Sequence, residues 1–231
     1  MALKKLPGVR VPHRKHTAAC PAEPMPLPEQ VVIPMSMHIG APSKPIVRVG
    51  EMVQVGQPIA ESGGFISVPT HASVAGKVTK IDTLLLSNGR YLPAVTIAAS
   101  EEQPVWEGVQ PPVVTDRESF LAAVRDSGVV GLGGAGFPAA AKLTVKREVD
   151  AILINGAECE PYITSDTRTM LDEQELVWEG IGLIRTYIAP REIIIGIEEN
   201  KPECIAVYRE KCRGTTGVRV DALPAVYPQG G

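Results

Sequence analysis

The feature that most constrains the fold is an alternation of two hydrophobic periods from Asp116 onward. "DAILINGAE" (150–158), "EIIIGIEE" (192–199) and "VRVDALP" (218–224) are apolar runs of strand length. Between them, "RTMLDEQELVWEGIGLIRTYIA" (168–189) and "KPECIAVYREKC" (201–212) place apolar residues at helical spacing. A further helix is expected over "DRESFLAAVRDSG" (116–128), with an acidic start, Phe120, Leu121 and Val124 at helical spacing, and Gly128 as the stop. Strands alternating with helices predict a mainly parallel sheet covered by helices. Such a sheet binds ligands at the carboxyl ends of its strands.

The chain upstream has a different grammar. "PIVRVGEMVQVGQPIAE" (45–61) alternates apolar and polar residues, with Gly50 and Gly56 as turns, and "ISVPTHASVAGKVTKID" (66–82) repeats the habit. Two such strand–turn units over residues 31–100 predict a small barrel or sandwich. This segment resembles the lipoyl-like barrel-sandwich hybrid. A carrier of that family needs a lysine at the hairpin tip, and the tip "ESGGFISVP" (61–69) has none, which argues for a docking or packing role. Residues 1–30 hold six prolines and no periodicity, so they are expected to form an extended arm, with "HRKH" (13–16) as a solvated basic patch or a phosphate or metal contact. Residues 101–115 are expected to be a linker, and residues 116–231 the α/β domain.

Composition excludes some partners. A formal charge of −3 and 4% aromatic residues argue against nucleic acid, which wants a basic patch and stacking platforms. Cys20, Cys159, Cys204 and Cys212 form no C-x-x-C pair, so neither zinc nor an iron–sulfur cluster is expected on these residues, and no metal ligand is assigned. The basic N-terminus lacks the apolar stretch of a signal peptide, and no run is long and apolar enough to cross a membrane. A cytoplasmic protein is expected, with a soluble subunit docked on a membrane complex as the other possibility.

"GLGGAGFPAAAKL" (131–143) gives up side chains at Gly131, Gly133, Gly134 and Gly136, then offers Phe137, Pro138 and Lys142. Pro138 suits the first position of a helix, and glycines before a helix start let an anionic or planar ligand approach its free N–H groups. Lys142 adds a full positive charge. The segment is not a Walker A loop, because no G-K-[ST] follows, and it does not follow a strand as a dinucleotide fingerprint does. A second motif, "NGAECEPYITSD" (155–166), directly follows the first strand. Asn155 offers both donor and acceptor. If the loop is extended, Glu158 and Glu160 point the same way and could bind metal, act as acid and base, or accept hydrogen bonds from ribose hydroxyls or ring N–H groups. The structural alternative is an acidic loop that caps the next helix through Asp166.

The two motifs together resemble the flavin- and NADH-binding subunit of respiratory complex I. With "HIGAPSKPIVRVG" and "GGFISVPTHASVAGKV", they resemble more closely the RnfC family of Rnf ion-translocating electron transport complexes, over nearly all 231 residues. The resemblance implies an FMN site with NAD(H) stacked on the flavin. Gly131, Gly133, Gly134, Gly136 and Phe137 would form the flavin loop, Lys142 would lie near the phosphate, Asn155 and Glu158 would contact flavin, and Glu160 would face the nicotinamide nucleotide. No residue is assigned as general acid or base. Leu132, Ala139 and Ala157 depart from the complex I pattern, so contacts from those side chains are not implied. The resemblance further implies other subunits of a membrane Rnf-type complex as partners, a peripheral place on the cytoplasmic face without membrane insertion, and two [4Fe–4S] clusters in a carboxyl-terminal region beyond residue 231. On this reading the α/β domain is incomplete at that end. The alternatives are the flavin subunit of a soluble NAD-linked hydrogenase or formate dehydrogenase, and a non-catalytic scaffold.

Overall fold

The structure, a computed structural model, describes residues 8–87, 89–132 and 136–230. Contacts divide the chain into two compact units: Met25–Lys146, and Met1–Pro24 with Arg147–Gly231. The grouping does not follow the expected boundary at 116, because helix 117–126 and the glycine segment cluster with the β residues.

In the first unit the strands are β1 (Gln30–Pro34), β2 (Lys44–Pro45), β3 (Met52–Val53), β4 (Pro58–Glu61), β5 (Thr70–His71), β6 (Gly76–Leu85) and β7 (Tyr91–Ala99). They form two antiparallel sheets, ordered β1-β7-β6-β3 and β2-β4-β5. Alternation decides what goes inside: Val78 is buried while Lys77 and Thr79 are exposed. Met35, Val53, Ile59, Val78, Val95 and Ile97 meet in one core. Each such side chain contributes about 1.5–3 kcal/mol through burial.

The expected linker is pinned to this unit. Val55 forms a parallel bridge with Val105, and the Gln103 amide donates to the carbonyls of Ala75 and Ser100. The backbone groups of Val55 would otherwise go unpaired, and residues 104–106 satisfy them. Then follow α1 (Arg117–Asp126), β8 (Val130–Gly131), β9 (Phe137–Pro138) and α2 (Ala139–Leu143). Asp116 and Ser119 cap α1 reciprocally, so the acidic start works as a capping box.

The second unit contains β10 (Ala151–Gly156), α3 (Ser165–Asp172), α4 (Gln174–Tyr187), β11 (Glu192–Glu198), α5 (Pro202–Cys212) and β12 (Val218–Leu223). The three strands are parallel in the order β10-β11-β12, with Ile154, Ile195 and Val220 in register. Ile193, Ile195 and Ile197 share a core with Met170 of α3, Ile181 of α4 and Tyr208 of α5. All three helices of this unit therefore pack in one core on one face of the sheet. On the other face Leu153 is 72% exposed.

Two expectations change here. The single helix over 168–189 is two helices separated by Glu173. Both reach the same core, so the apolar spacing runs on across the break and periodicity cannot register it. The proline-rich arm is not free either: residues 9–18 are fastened to the α/β unit. Val9 bridges Tyr227, Thr17 Oγ1 lies 2.6 Å from Thr164 Oγ1, and Arg168 donates to the carbonyl of Ala18 at 3.1 Å. A backbone with no ladder of its own finds partners on a neighbouring surface. Among the described residues no helix is long and apolar enough to cross a membrane.

Candidate functional site

The predicted site residues fall in both units, and each part is built locally. In the first unit, β8 and β9 pair antiparallel around the glycine segment, with Val130 opposite Pro138 and Gly131 opposite Phe137. The Gly136 amide closes the turn onto the Gly131 carbonyl at 3.2 Å. Gly136 sits at φ +65°, and a Cβ there would lie 2.8 Å from the Met37 carbonyl oxygen, so both conformation and space require glycine. Among the described residues, an added Cβ at Gly131 would meet only the Phe137 backbone, in ordinary contact at 3.8 Å. Gly133 and Gly134 lie outside the described residues. Phe137 is 37% exposed. Pro138 stands at the N-cap rather than the first helical position, because its ψ of 119° is not helical. The helix after it has only five residues, so its dipole adds little. Lys142 is exposed, with no ion pair or hydrogen bond among the described residues.

In the second unit, the strand-end loop collects Asn155, Glu158 and Glu160. The two carboxylates do not point the same way. Glu158 takes φ +33°, a left-handed conformation that costs a non-glycine residue about 1–3 kcal/mol. This turns its side chain inward to complete burial, while Glu160 stays exposed. Glu158 Oε1 accepts from the Asp166 and Thr167 amides at 2.7 and 3.3 Å, and Oε2 accepts from the Thr167 hydroxyl at 2.6 Å. The helix α3 is therefore capped by an acid from the preceding loop, not by Asp166, which lies inside its first turn. Asn155 is also engaged: its Nδ2 donates to the Gly230 carbonyl at 2.8 Å and its Oδ1 accepts from the Ala157 amide at 3.1 Å.

Two lysines that sequence reasoning missed hold this loop. Lys15, within the "HRKH" expected to be solvated, instead donates to the carbonyls of Glu158, Glu160 and Ile163 at 2.8, 2.9 and 2.5 Å, and its ammonium lies 3.6 Å from Glu158 Oε2. Lys201, immediately before α5, is buried. Its ammonium donates to Glu198 Oε2 at 2.6 Å and to the carbonyls of Ala157 and Glu158 at 3.0 and 3.3 Å. Glu198 is fully buried, and its Oε1 has no partner among the described residues. The only available signal was an acid and a lysine three residues apart at a strand end.

Burial and the neighbouring Glu158 and Glu160 push the Asp166 carboxyl above the usual aspartate range, against the opposing pull of Lys201 and Lys15. A raised acid pKa means that the folded state holds the proton more tightly. The charge of Asp166 therefore costs stability above the folded pKa, and the cost vanishes below the ordinary aspartate value of about 4. Asp166→Asn is expected to raise Tm at pH 7 and to leave it unchanged at pH 3. Thermal melts at the two pH values check this; an equal shift at both would remove the titration as its cause.

Comparison with known proteins gives two family matches. The RnfC barrel sandwich hybrid domain matches residues 4–102, and the Nuo51 FMN-binding domain matches residues 124–231. The chain is 37% identical over 229 residues to the C subunit of a Na(+)-translocating ferredoxin:NAD(+) oxidoreductase complex of Acetobacterium woodii, covering 96% of this chain and 52% of the relative. It is 38% identical over 226 residues to the C subunit of a proton-translocating ferredoxin:NAD(+) oxidoreductase complex of Clostridium ljungdahlii, covering 94% and 48%. It is 38% identical over 225 residues to the C subunit of an ion-translocating oxidoreductase complex of Pseudomonas aeruginosa, covering 95% and 29%. The chain thus spans about half the length of the first two relatives and less of the third.

Proposed function

From a chain that belongs to the RnfC family, with its barrel sandwich hybrid domain followed by a Nuo51 FMN-binding domain, we propose an electron-transfer flavoprotein subunit of an Rnf-type ferredoxin:NAD⁺ oxidoreductase. The observation that carries this is the FMN-binding match over residues 124–231, which includes both motifs. The residues present fit a flavin nucleotide. Lys142 is an exposed cation, unpaired among the described residues and suited to a phosphate, and Gly131 offers exposed backbone without a side chain. Phe137 offers a partly exposed ring, and Gly136 sets the turn, with Gly133 and Gly134 between Gly131 and Gly136 in sequence.

In the α/β unit, Glu160 is the exposed acid available to a nicotinamide nucleotide. Asn155 and Glu158 serve by shaping the loop, since their polar atoms are engaged within the protein. Bound FMN would supply acceptance of hydride from NADH and release of single electrons, toward iron–sulfur clusters outside these residues. This chain's residues bind and orient; none is assigned a proton transfer. The subunit would work beside the other subunits of its complex, peripheral to the cytoplasmic face of the membrane, without inserting into it.

Titration of FMN into the full-length protein, followed by flavin fluorescence, tests the reading. Wild type is expected to take up FMN stoichiometrically. Lys142→Ala should weaken binding roughly ten-fold, with reduced salt dependence. Gly136→Val should abolish it. A wild-type protein that takes up no flavin would overturn the reading. The engagement of Asn155 and Glu158 in structural bonds favours a second reading, a scaffold that binds no cofactor, and the same titration decides between them.

A further inference from the structure

The first unit contains a polar cluster that the proposed function does not use. His38, Ser43 and Thr70 are all buried inside the β structure. The Val68 amide can only donate, and it faces His38 Nε2 at 3.4 Å. Nε2 is therefore the unprotonated nitrogen, and Nδ1 carries the hydrogen, which it donates to the Ile39 carbonyl at 3.1 Å. The Ser43 hydroxyl lies 3.2 Å from the same Nε2 and donates to the Val68 carbonyl at 2.9 Å. Thr70 Oγ1 lies 3.2 Å from Ser43 Oγ. The backbone of residue 39 is thus tied to residue 68 through one imidazole, and Ser43 and Thr70 extend the network from the Val68 carbonyl.

That same backbone holds the glycine segment. The Ile39 amide donates to the Gly136 carbonyl at 3.2 Å, and Gly136 packs so closely that an added Cβ would lie 3.0 Å from His38 Cα. The other end of the segment meets the neighbouring β loop. Gly128, at φ +71°, would place a Cβ 2.9 Å from the Pro69 carbonyl and 3.4 Å from His71 Nδ1. The His71 ring also stands beside Asp126 at the end of α1. Residues 37–39 and 69–71 therefore grip both ends of 128–136, and the His38 cluster links the two grips.

We propose that the barrel is the template of the glycine segment, with His38 as the positioning residue that sets the loop for its ligand. The ligand half of this proposal rests on the flavin reading above; the templating half does not. A hydrogen bond of this kind is worth about a ten-fold change in an equilibrium constant.

The experiment uses the full-length protein with His38→Ala, His38→Gln, which keeps an acceptor near the Nε2 position, and the distant exposed Leu85→Ser as control. Amide hydrogen exchange over 129–138 and FMN affinity are both measured. His38→Ala is expected to speed exchange over 129–138 and to weaken FMN binding, each roughly ten-fold. Gln should restore most of both, and Leu85→Ser should change neither. If His38→Ala also loses protection across 76–99, the barrel itself has opened, and His71→Ala becomes the deciding variant. It should speed exchange at 126–131 while 76–99 stays protected. Unchanged exchange over the segment, in whichever variant keeps the barrel protected, overturns the templating. Absence of FMN uptake by wild type defeats the flavin reading alone, because the exchange result stands without it.

Discussion

Replacing Lys201 with methionine is expected to cost the protein about 3–5 kcal/mol of stability. Glu198 is fully buried and pairs with the Lys201 ammonium at 2.6 Å. Its other oxygen already lacks a partner among the described residues. Removing the lysine would leave a carboxylate in the sheet's core with no counter-charge. The carbonyls of Ala157 and Glu158 would lose a donor as well. Urea denaturation of wild type, Lys201→Met, Glu198→Met and the double variant measures this. The double variant should recover most of the loss, because two apolar side chains remove the buried charges together. If both singles and the double lose the same amount, the cost comes from packing and the ion pair contributes little.

The second large effect is expected at Glu158. Glu158→Ala removes two amide acceptors and a hydroxyl acceptor from the start of α3 and takes the counter-charge from Lys15. A loss of about 3 kcal/mol is expected, from the cap together with the uncompensated partner groups. Glu158→Gln keeps the shape and one carbonyl oxygen, so it should lose less. The Gln variant also separates structure from ligand contact. If Glu158 acts only by holding α3 and the strand-end loop, folded Glu158→Gln should bind FMN within about two-fold of wild type, since no interaction worth a decade of affinity is lost. A loss beyond about ten-fold would place the carboxylate against the ligand instead.

Lys15 and Glu158 show why parts of the site were legible and others were not. The strands at 151–156, 192–198 and 218–223 and their parallel pairing follow from apolar runs separated by helical spacing. The cap on α1 follows from Asp116 and Ser119, which are three residues apart. The stop between α3 and α4 did not, because both segments bury apolar residues in one core and the spacing carries through. The expectation that Glu158 and Glu160 align assumed an extended loop. The loop instead turns left-handed at Glu158, driven by the open amides of α3 and the ammonium of Lys15, a residue 143 positions away. The expected extended arm and linker lack periodicity, yet isolated hydrogen bonds to distant backbone tie both down.

By itself the sequence determined what depends on near neighbours. Period selects strand or helix, clustered glycines mark 131–136 as a segment of bare backbone, and the two motifs resemble those of a flavin-binding family. Only the tertiary structure decided which polar groups are available. Burial makes an unpaired charge or amide expensive, so the fold assigns Glu158, Lys15, Lys201 and His38 to partners that burial brings against them, most of them far along the chain. Glu160 and Lys142 remain exposed, and those are the predicted site's charges left for a ligand.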